Sequence, residues 1–243
     1  MAGGVRGSDT RGPNVPSAVT YGKSVTVRRG HPAADLSVEA LAQARASAGL
    51  TVTVALPARD EAATIGPIVA GVVGLVRAGL VDEIVVGDDG STDATAAVAA
   101  QAGARVVACG SIDGAGATGK GEALWTTLAA STGDLVCWID ADLAAFDPAF
   151  VVRLLAPLVV DQDVDFVKGY YRRPIGDQPD GGGRVTELMA RPLLARFFPE
   201  LSFVRQPLAG EYAGTRLLLE RLPYLAGWGV DVGLLLDLSL IHI

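Results

Sequence analysis

At 243 residues, half of them hydrophobic and 19% charged, the chain is long enough for one large α/β domain. A formal net charge of −7 excludes the broad basic surface of a general nucleic-acid binder. No apolar run reaches the ~20 residues of a membrane-spanning helix, and the N-terminus lacks the apolar stretch of a secretory signal. The two cysteines, Cys109 and Cys137, offer neither a disulfide framework nor metal-ligand spacing. The expectation is therefore a cytoplasmic protein with no membrane or nucleic-acid partner.

In chain order, residues 1–32 are rich in Gly, Arg and Pro without periodicity and are expected to be disordered. Residues 35–47 have helical composition, with Gly49 as the stop. The β-branched run 51–56, bounded by Pro57, predicts a buried strand. Helices are predicted over 61–77, 92–102 and 121–131, and further strands over 83–87, 104–108 and 135–139. Residues 238–243 (LSLIHI) match the translation of a transposon-end sequencing adapter and are set apart from the fold as an appended tail, the alternative being an ordinary strand. On the first reading the natural chain continues past Asp237.

Strands alternating with helices predict a mainly parallel sheet wound by right-handed crossovers. Ligands of such sheets bind beyond the carboxyl ends of the strands. Three polar clusters follow predicted strands there: Pro57-Ala-Arg-Asp-Glu61, Asp88-Asp-Gly-Ser-Thr-Asp93 and Asp140-Ala-Asp142. A pair of carboxylates one residue apart suits a hard cation such as Mg²⁺, which often bridges carboxylates to a diphosphate. The plainer reading is one turn cap and one solvated Asp, and the neighbouring clusters weigh against it. In the second cluster Gly90 permits an unusual backbone angle, and Ser91 or Thr92 can cap the next helix with Asp93 in its first turn. That leaves Asp88 and Asp89 free to accept hydrogen bonds from a base or a ribose. Lys120, between Gly119 and Gly121, opens a helix without P-loop spacing. It supplies either a point charge for a nucleotide or a solvated loop lysine.

The ordered segments LPARDEAATI, GDDGSTDAT, GKGEAL and DAD resemble a GT-A fold nucleotide-sugar glycosyltransferase over residues 50–145. The segments KGYYRRP, GGGRVTEL, QPLAGEY and GWGVDVG extend the resemblance to Asp237 and are similar to the glucosyl-3-phosphoglycerate synthase family and its mannosyl-transferring relatives. The fold implied is an α/β, GT-A type, Rossmann-like sheet flanked by helices. Residues 33–145 would form a nucleotide-sugar-binding half, and 146–237 an acceptor-binding half that is incomplete.

The resemblance implies that Pro57, Ala58, Arg59 and Glu61 border the uracil and ribose, with Asp89 on the base and Lys120 by the nucleotide. Asp140 would hold ribose or sugar hydroxyls, beside Ala141, and Asp142 the metal, Mg²⁺ or Mn²⁺. Gly183, Arg184, Val185 and Thr186 would hold 3-phosphoglycerate, while Leu208 and Asp231 would line the glucose pocket near Trp228. The residues themselves agree on the acceptor side, where a triple glycine before Arg184 and Thr186 makes an anion site. A flexible loop with Thr186 as cap would explain the glycines and leave Arg184 idle.

Two departures stand out. The family shows Glu where Asp231 stands, and it supplies a His metal ligand beyond the end of this chain. Neither His31 nor His242 is expected to replace it, so the metal site is expected to be incomplete. The implied reaction is retaining transfer of glucose from UDP-glucose to the 2-hydroxyl of 3-phosphoglycerate by a front-face route, in a homodimer. The rivals are mannosyl transfer from GDP-mannose, a lipid-phosphate glycosyltransferase, and a nucleotide-sugar-binding fragment without turnover.

Overall fold

The computed structural model describes residues 17–22, 28–29, 32–110, 119–171 and 183–241. Strands β1 (Ser17–Gly22) and β2 (Arg28–Arg29) lie in the N-terminal segment that was expected to be disordered. They form because the otherwise open edge of a later strand offers β1 a ladder of backbone hydrogen bonds. Helix α1 (Val38–Ala48) starts where the Ser37 hydroxyl accepts a hydrogen bond from the Ala40 N–H at 3.2 Å, and stops at Gly49, whose φ is +66°.

The four expected strands are present as β3 (Val52–Ala58), β4 (Glu83–Asp88), β5 (Arg105–Ala108) and β6 (Leu135–Trp138). They pair in parallel, β6 with β3, β3 with β4, and β4 with β5. Strand β3 runs through Pro57 because its ladder with β6 ends at Ala55, so no neighbour on that side calls on the missing proline N–H. Helices α2 (Ile65–Arg77), α3 (Thr95–Ala102) and α4 (Lys120–Ala130) make the connections.

The second half extends the sheet with a change of direction. After α5 (Ala149–Val160) comes β7 (Val164–Tyr170), then a π-helical turn (Thr186–Ala190) leading into α6 (Arg191–Phe197). Strand β8 (Tyr212–Thr215) then inserts antiparallel between β6 and β7, giving the order β2-β1-β7-β8-β6-β3-β4-β5. Helices α7 (Arg216–Leu219) and α8 (Val230–Ile241) follow. The tail set apart from residue 238 onward continues α8 as far as Ile241 rather than forming a strand, and Leu238 is buried against the core.

Side chains alternate across β3. Val52, Val54 and Leu56 enter a core shared with α2 and α5, whereas Ala55 faces α4 and α8. Trp138 anchors the α4 side, its indole N–H donating to Thr127 Oγ1 at 3.0 Å and its ring 5.3 Å from that of Tyr212. Truncating such a side chain to alanine costs about 3–5 kcal/mol. The two packed layers fix the carboxyl ends of β3, β4 and β6 along one edge, where the polar clusters converge.

Candidate active site

The loop after β3 is held by the loop after β4. Asp60 adopts φ +55°, and its Oδ1 accepts from the Thr92 N–H at 2.7 Å and the Thr92 hydroxyl at 3.1 Å. In return Ser91 Oγ accepts from the Asp60 N–H at 3.0 Å, Asp93 Oδ2 from the Ala62 N–H at 3.1 Å, and Thr95 Oγ1 from the Glu61 N–H at 2.7 Å. The reading of Ser91 or Thr92 as a helix cap is thereby corrected. Helix α3 begins at Thr95 without a side-chain cap, and the hydroxyls reach across to satisfy the neighbouring loop. Asp88 also serves its own turn, accepting from the Ser91 N–H at 3.2 Å.

Asp89 is the carboxylate this arrangement leaves for a ligand. It is buried, with Oδ2 bound by the Gly119 N–H at 2.9 Å and 3.4 Å from Arg59 Nη1. Its Oδ1 has no hydrogen-bond partner among the described residues.

Lys120 heads α4 between two glycines, and packing explains both. A Cβ on Gly119 would lie 2.9 Å from the Gly227 Cα, and one on Gly121 1.8 Å from the Leu225 carbonyl oxygen. Only glycines let the segment 225–231 close onto α4 and bring Trp228 and Asp231 to the lysine. The Lys120 ammonium then lies 2.9 Å from Asp140 Oδ1 and 3.2 Å from Asp231 Oδ2. Burial alone would lower the Lys120 pKa, but Asp140 and then Asp231 outweigh it and hold it above its ordinary value. Burial raises the Asp231 carboxyl, opposed by Lys120 and Lys168. Behind Asp140 the backbone is equally close, since a Cβ on Gly210 would fall 2.0 Å from Asp140 Oδ1.

Two cavities meet at this lysine. The first, about 430 Å³, is lined by Pro57, Ala58, Arg59, Glu61 and Asp89 from the β3 and β4 ends, and by Ala141 after β6. The second, about 390 Å³, is lined by Leu208, Asp231 and Tyr171. Lys120, Asp140, Asp142 and Trp228 border both. The expected donor and sugar residues are thus brought together. Gly183, Arg184, Val185 and Thr186 line neither cavity: Gly183 turns the chain at φ +78°, Arg184 and Val185 are exposed, and Thr186 is buried at the π-helical turn.

No group of three potential metal ligands exists among the described residues. Asp142 is exposed and faces both cavities, while Asp140 is engaged by Lys120. The Asp142 carboxylate bordering both cavities is the oxygen-donor type that suits a Mg²⁺- or Mn²⁺-type ion, which keeps waters and takes phosphate oxygens. His31 and His242 lie outside the described residues.

Sequence reasoning passed over Lys168 and Glu211, both buried beside the site. The signals were a lone lysine inside the strand run VDFVKGY and a glutamate just before the apolar strand β8.

Comparison with known proteins agrees with this geometry. The model of glycosyl transferase family 2 matches residues 53–221. The glucosyl-3-phosphoglycerate synthase of Mycolicibacterium smegmatis is 51% identical over 198 residues, 79% of this chain and 65% of that protein. The chain thus spans less than two thirds of that relative's length. A crystal structure of the Mycobacterium tuberculosis glucosyl-3-phosphoglycerate synthase with Mn²⁺, UDP-glucose and phosphoglyceric acid is similar with a TM-score of 0.75 and 46% identity, over 83% of this chain and 69% of that one. The mannosyl-3-phosphoglycerate synthase of Rubrobacter xylanophilus is similar with a TM-score of 0.78 and 40% identity, over 86% and 68%. With a matched region covering most of its length and parallel strands β3, β4 and β6 that gather the matched motifs at one edge of a mixed sheet, the chain belongs to glycosyl transferase family 2.

Proposed function

We propose that the chain transfers glucose from UDP-glucose to the 2-hydroxyl of 3-phosphoglycerate with retention, assisted by Mg²⁺ or Mn²⁺. The observation that carries this reading is the Lys120 ammonium bridging Asp140 and Asp231 in the wall common to two cavities. One cavity is shaped by base- and ribose-side residues, the other by sugar-side residues, and the bridge marks where the bond to the leaving diphosphate would lie. The likeness to glucosyl-transferring relatives favours glucose over mannose.

The free Asp89 Oδ1 would accept the uracil N–H, and Arg59 and Glu61 would border the nucleoside. Asp140 and Asp231 would orient sugar hydroxyls. Their ties to Lys120 make either a poor nucleophile, so attack from the face of the departing diphosphate is preferred to a glycosyl-enzyme. In that step the C1–oxygen bond to the diphosphate breaks, the bond from C1 to the acceptor 2-oxygen forms, and the hydroxyl proton passes to the diphosphate. A divalent cation at Asp142 would supply charge neutralisation for the leaving group. The backbone N–H groups after Gly183, with Arg184 and Thr186, would bind the acceptor phosphate and carboxylate. A homodimer in the cytoplasm, where nucleotide sugars are available, completes the reading.

The test is to incubate the chain with UDP-glucose, 3-phosphoglycerate and Mn²⁺ and analyse the product by mass spectrometry and NMR. A glucosylated phosphoglycerate with an α-anomeric signal is expected. A β-anomer would refute retention, and unmodified phosphoglycerate would refute the acceptor.

A further inference from the structure

Lys168 sits in the middle of β7, 2% exposed. A lysine is almost never fully buried without a partner. Its ammonium donates to the Ala209 carbonyl and lies over the Tyr212 ring, 5.0 Å from the centroid. Among the described residues no carboxylate stands within ion-pair distance of it, yet the charges acting on it are those of the site: Asp231, Lys120, Glu211 and Asp140. It lines neither cavity.

The carbonyl it holds is informative. Ala209 lies between Leu208, which lines the sugar-side cavity, and Gly210, whose Cα packs directly on the Asp140 carboxylate. The next residue, Glu211, accepts from the Gly169 N–H at 2.8 Å through its backbone oxygen, so the segment 208–211 is fastened to β7 at two successive residues. One fastening is ordinary sheet pairing. The other is a buried charge-assisted hydrogen bond, and an apolar side chain at Lys168 would forfeit it.

We propose that Lys168 is a positioning residue for the sugar end of the donor site: it ties down the Leu208–Gly210 backbone against Asp140 and places a second positive charge behind the Asp140–Lys120–Asp231 bridge. This rests on the donor reading given above. Three carboxyl groups, the buried Asp231 and Glu211 and the half-buried Asp140, gather around the two lysines. With Lys168 in place, the Leu208–Gly210 backbone stays seated against the Asp140 carboxylate. Without it, that backbone gains freedom, and the glucose moiety loses its contacts while the uridine end, on β3 and β4, is untouched.

The test compares UDP with UDP-glucose affinity in the presence of Mn²⁺, by calorimetry, for the parent and for Lys168→Met and Lys168→Arg. The Met variant is expected to bind UDP as the parent does, within about twofold, and to lose about tenfold in UDP-glucose affinity, the scale of one charged hydrogen bond. The Arg variant is expected to recover part of that loss. A Met variant with an unchanged UDP-glucose to UDP affinity ratio overturns the proposal and leaves the donor site standing. A parent chain that binds neither nucleotide overturns both.

A second measurement needs no variant. Burial pulls the Lys168 pKa down to about 8. Among the described residues, Lys120, Asp140, Asp231, Glu211 and Tyr212 are the charged and titratable groups that act on it or pack against it. The parent's preference for UDP-glucose over UDP is expected to hold below pH 8 and fall above it. A preference that stays flat through pH 9.5 overturns the proposal even if the Met variant fails to fold.

Discussion

Gly121 and Leu225 touch so closely that a Cβ on the glycine would fall 1.8 Å from the leucine carbonyl oxygen. The contact joins the start of α4 to the segment that carries Trp228 and Asp231, so the sugar-side wall is held in place by the absence of one methyl group. Gly121→Ala is expected to push that segment away from Lys120. Overpacking of this kind costs about 1–3 kcal/mol. A lowered melting temperature, with UDP release reduced far more than UDP affinity, is the expected outcome; an alanine variant with parental turnover would show that the contact is dispensable.

Lys120→Met removes the bridge between Asp140 and Asp231 and leaves a half-buried and a buried carboxylate without the ammonium that joins them. Loss of a preorganised charge beside the leaving group costs about 10²–10³ in kcat. Turnover under saturating donor is the measurement, with UDP binding retained.

The clamp between the β3 and β4 loops gives a different signature. Thr95→Val removes the acceptor for the Glu61 N–H and a donor to Asp93. Each lost hydrogen bond is worth about 1 kcal/mol. The donor KM is expected to rise, by up to about thirtyfold if both bonds bear on binding, with kcat nearly unchanged because the bridge at Lys120 is intact. Steady-state kinetics varying UDP-glucose separates this from a drop in kcat, which would place Thr95 in the chemistry.

Glu211 makes stability depend on pH. Burial, and then the charge of Asp140, pushes its carboxyl up from 4.5 to about 7, and neither oxygen finds a hydrogen bond among the described residues. The folded state holds the proton more tightly than the unfolded one. The resulting stability is therefore fully present below about pH 4.5 and lost as the pH rises through about 7. Glu211→Gln removes this dependence. At pH 8 it is expected to exceed the parent by about 3 kcal/mol, with the two converging near pH 4.5. Urea denaturation at both pH values checks it, and a constant difference would contradict the assignment.

Strands β3 to β6 and the residues at their carboxyl ends were legible because periodicity and turn chemistry are local. Asp89, Lys120 and Asp140 each follow or open an element whose pattern is written within a few neighbours. The roles of Ser91 and Thr92 were not, nor was the second bond of Asp93 to the Ala62 N–H, since those partners lie about 31–32 residues away and a cap is the cheaper local explanation. Antiparallel β8 was hidden for a similar reason: four residues, Tyr212–Thr215, carry too short a pattern, and their strand character comes from the neighbours β6 and β7. Lys168 and Glu211 were passed over because their burial comes from β7 and β8 closing beside the site, not from their own neighbours in the chain.

The central claim is most directly tested by UDP or GDP release from the chain with Mn²⁺, using UDP-glucose and GDP-mannose, each with and without 3-phosphoglycerate. The account predicts release from UDP-glucose that depends on 3-phosphoglycerate, and none above background from GDP-mannose. Release from UDP-glucose that ignores 3-phosphoglycerate, or acceptor-dependent release from GDP-mannose alone, would contradict it.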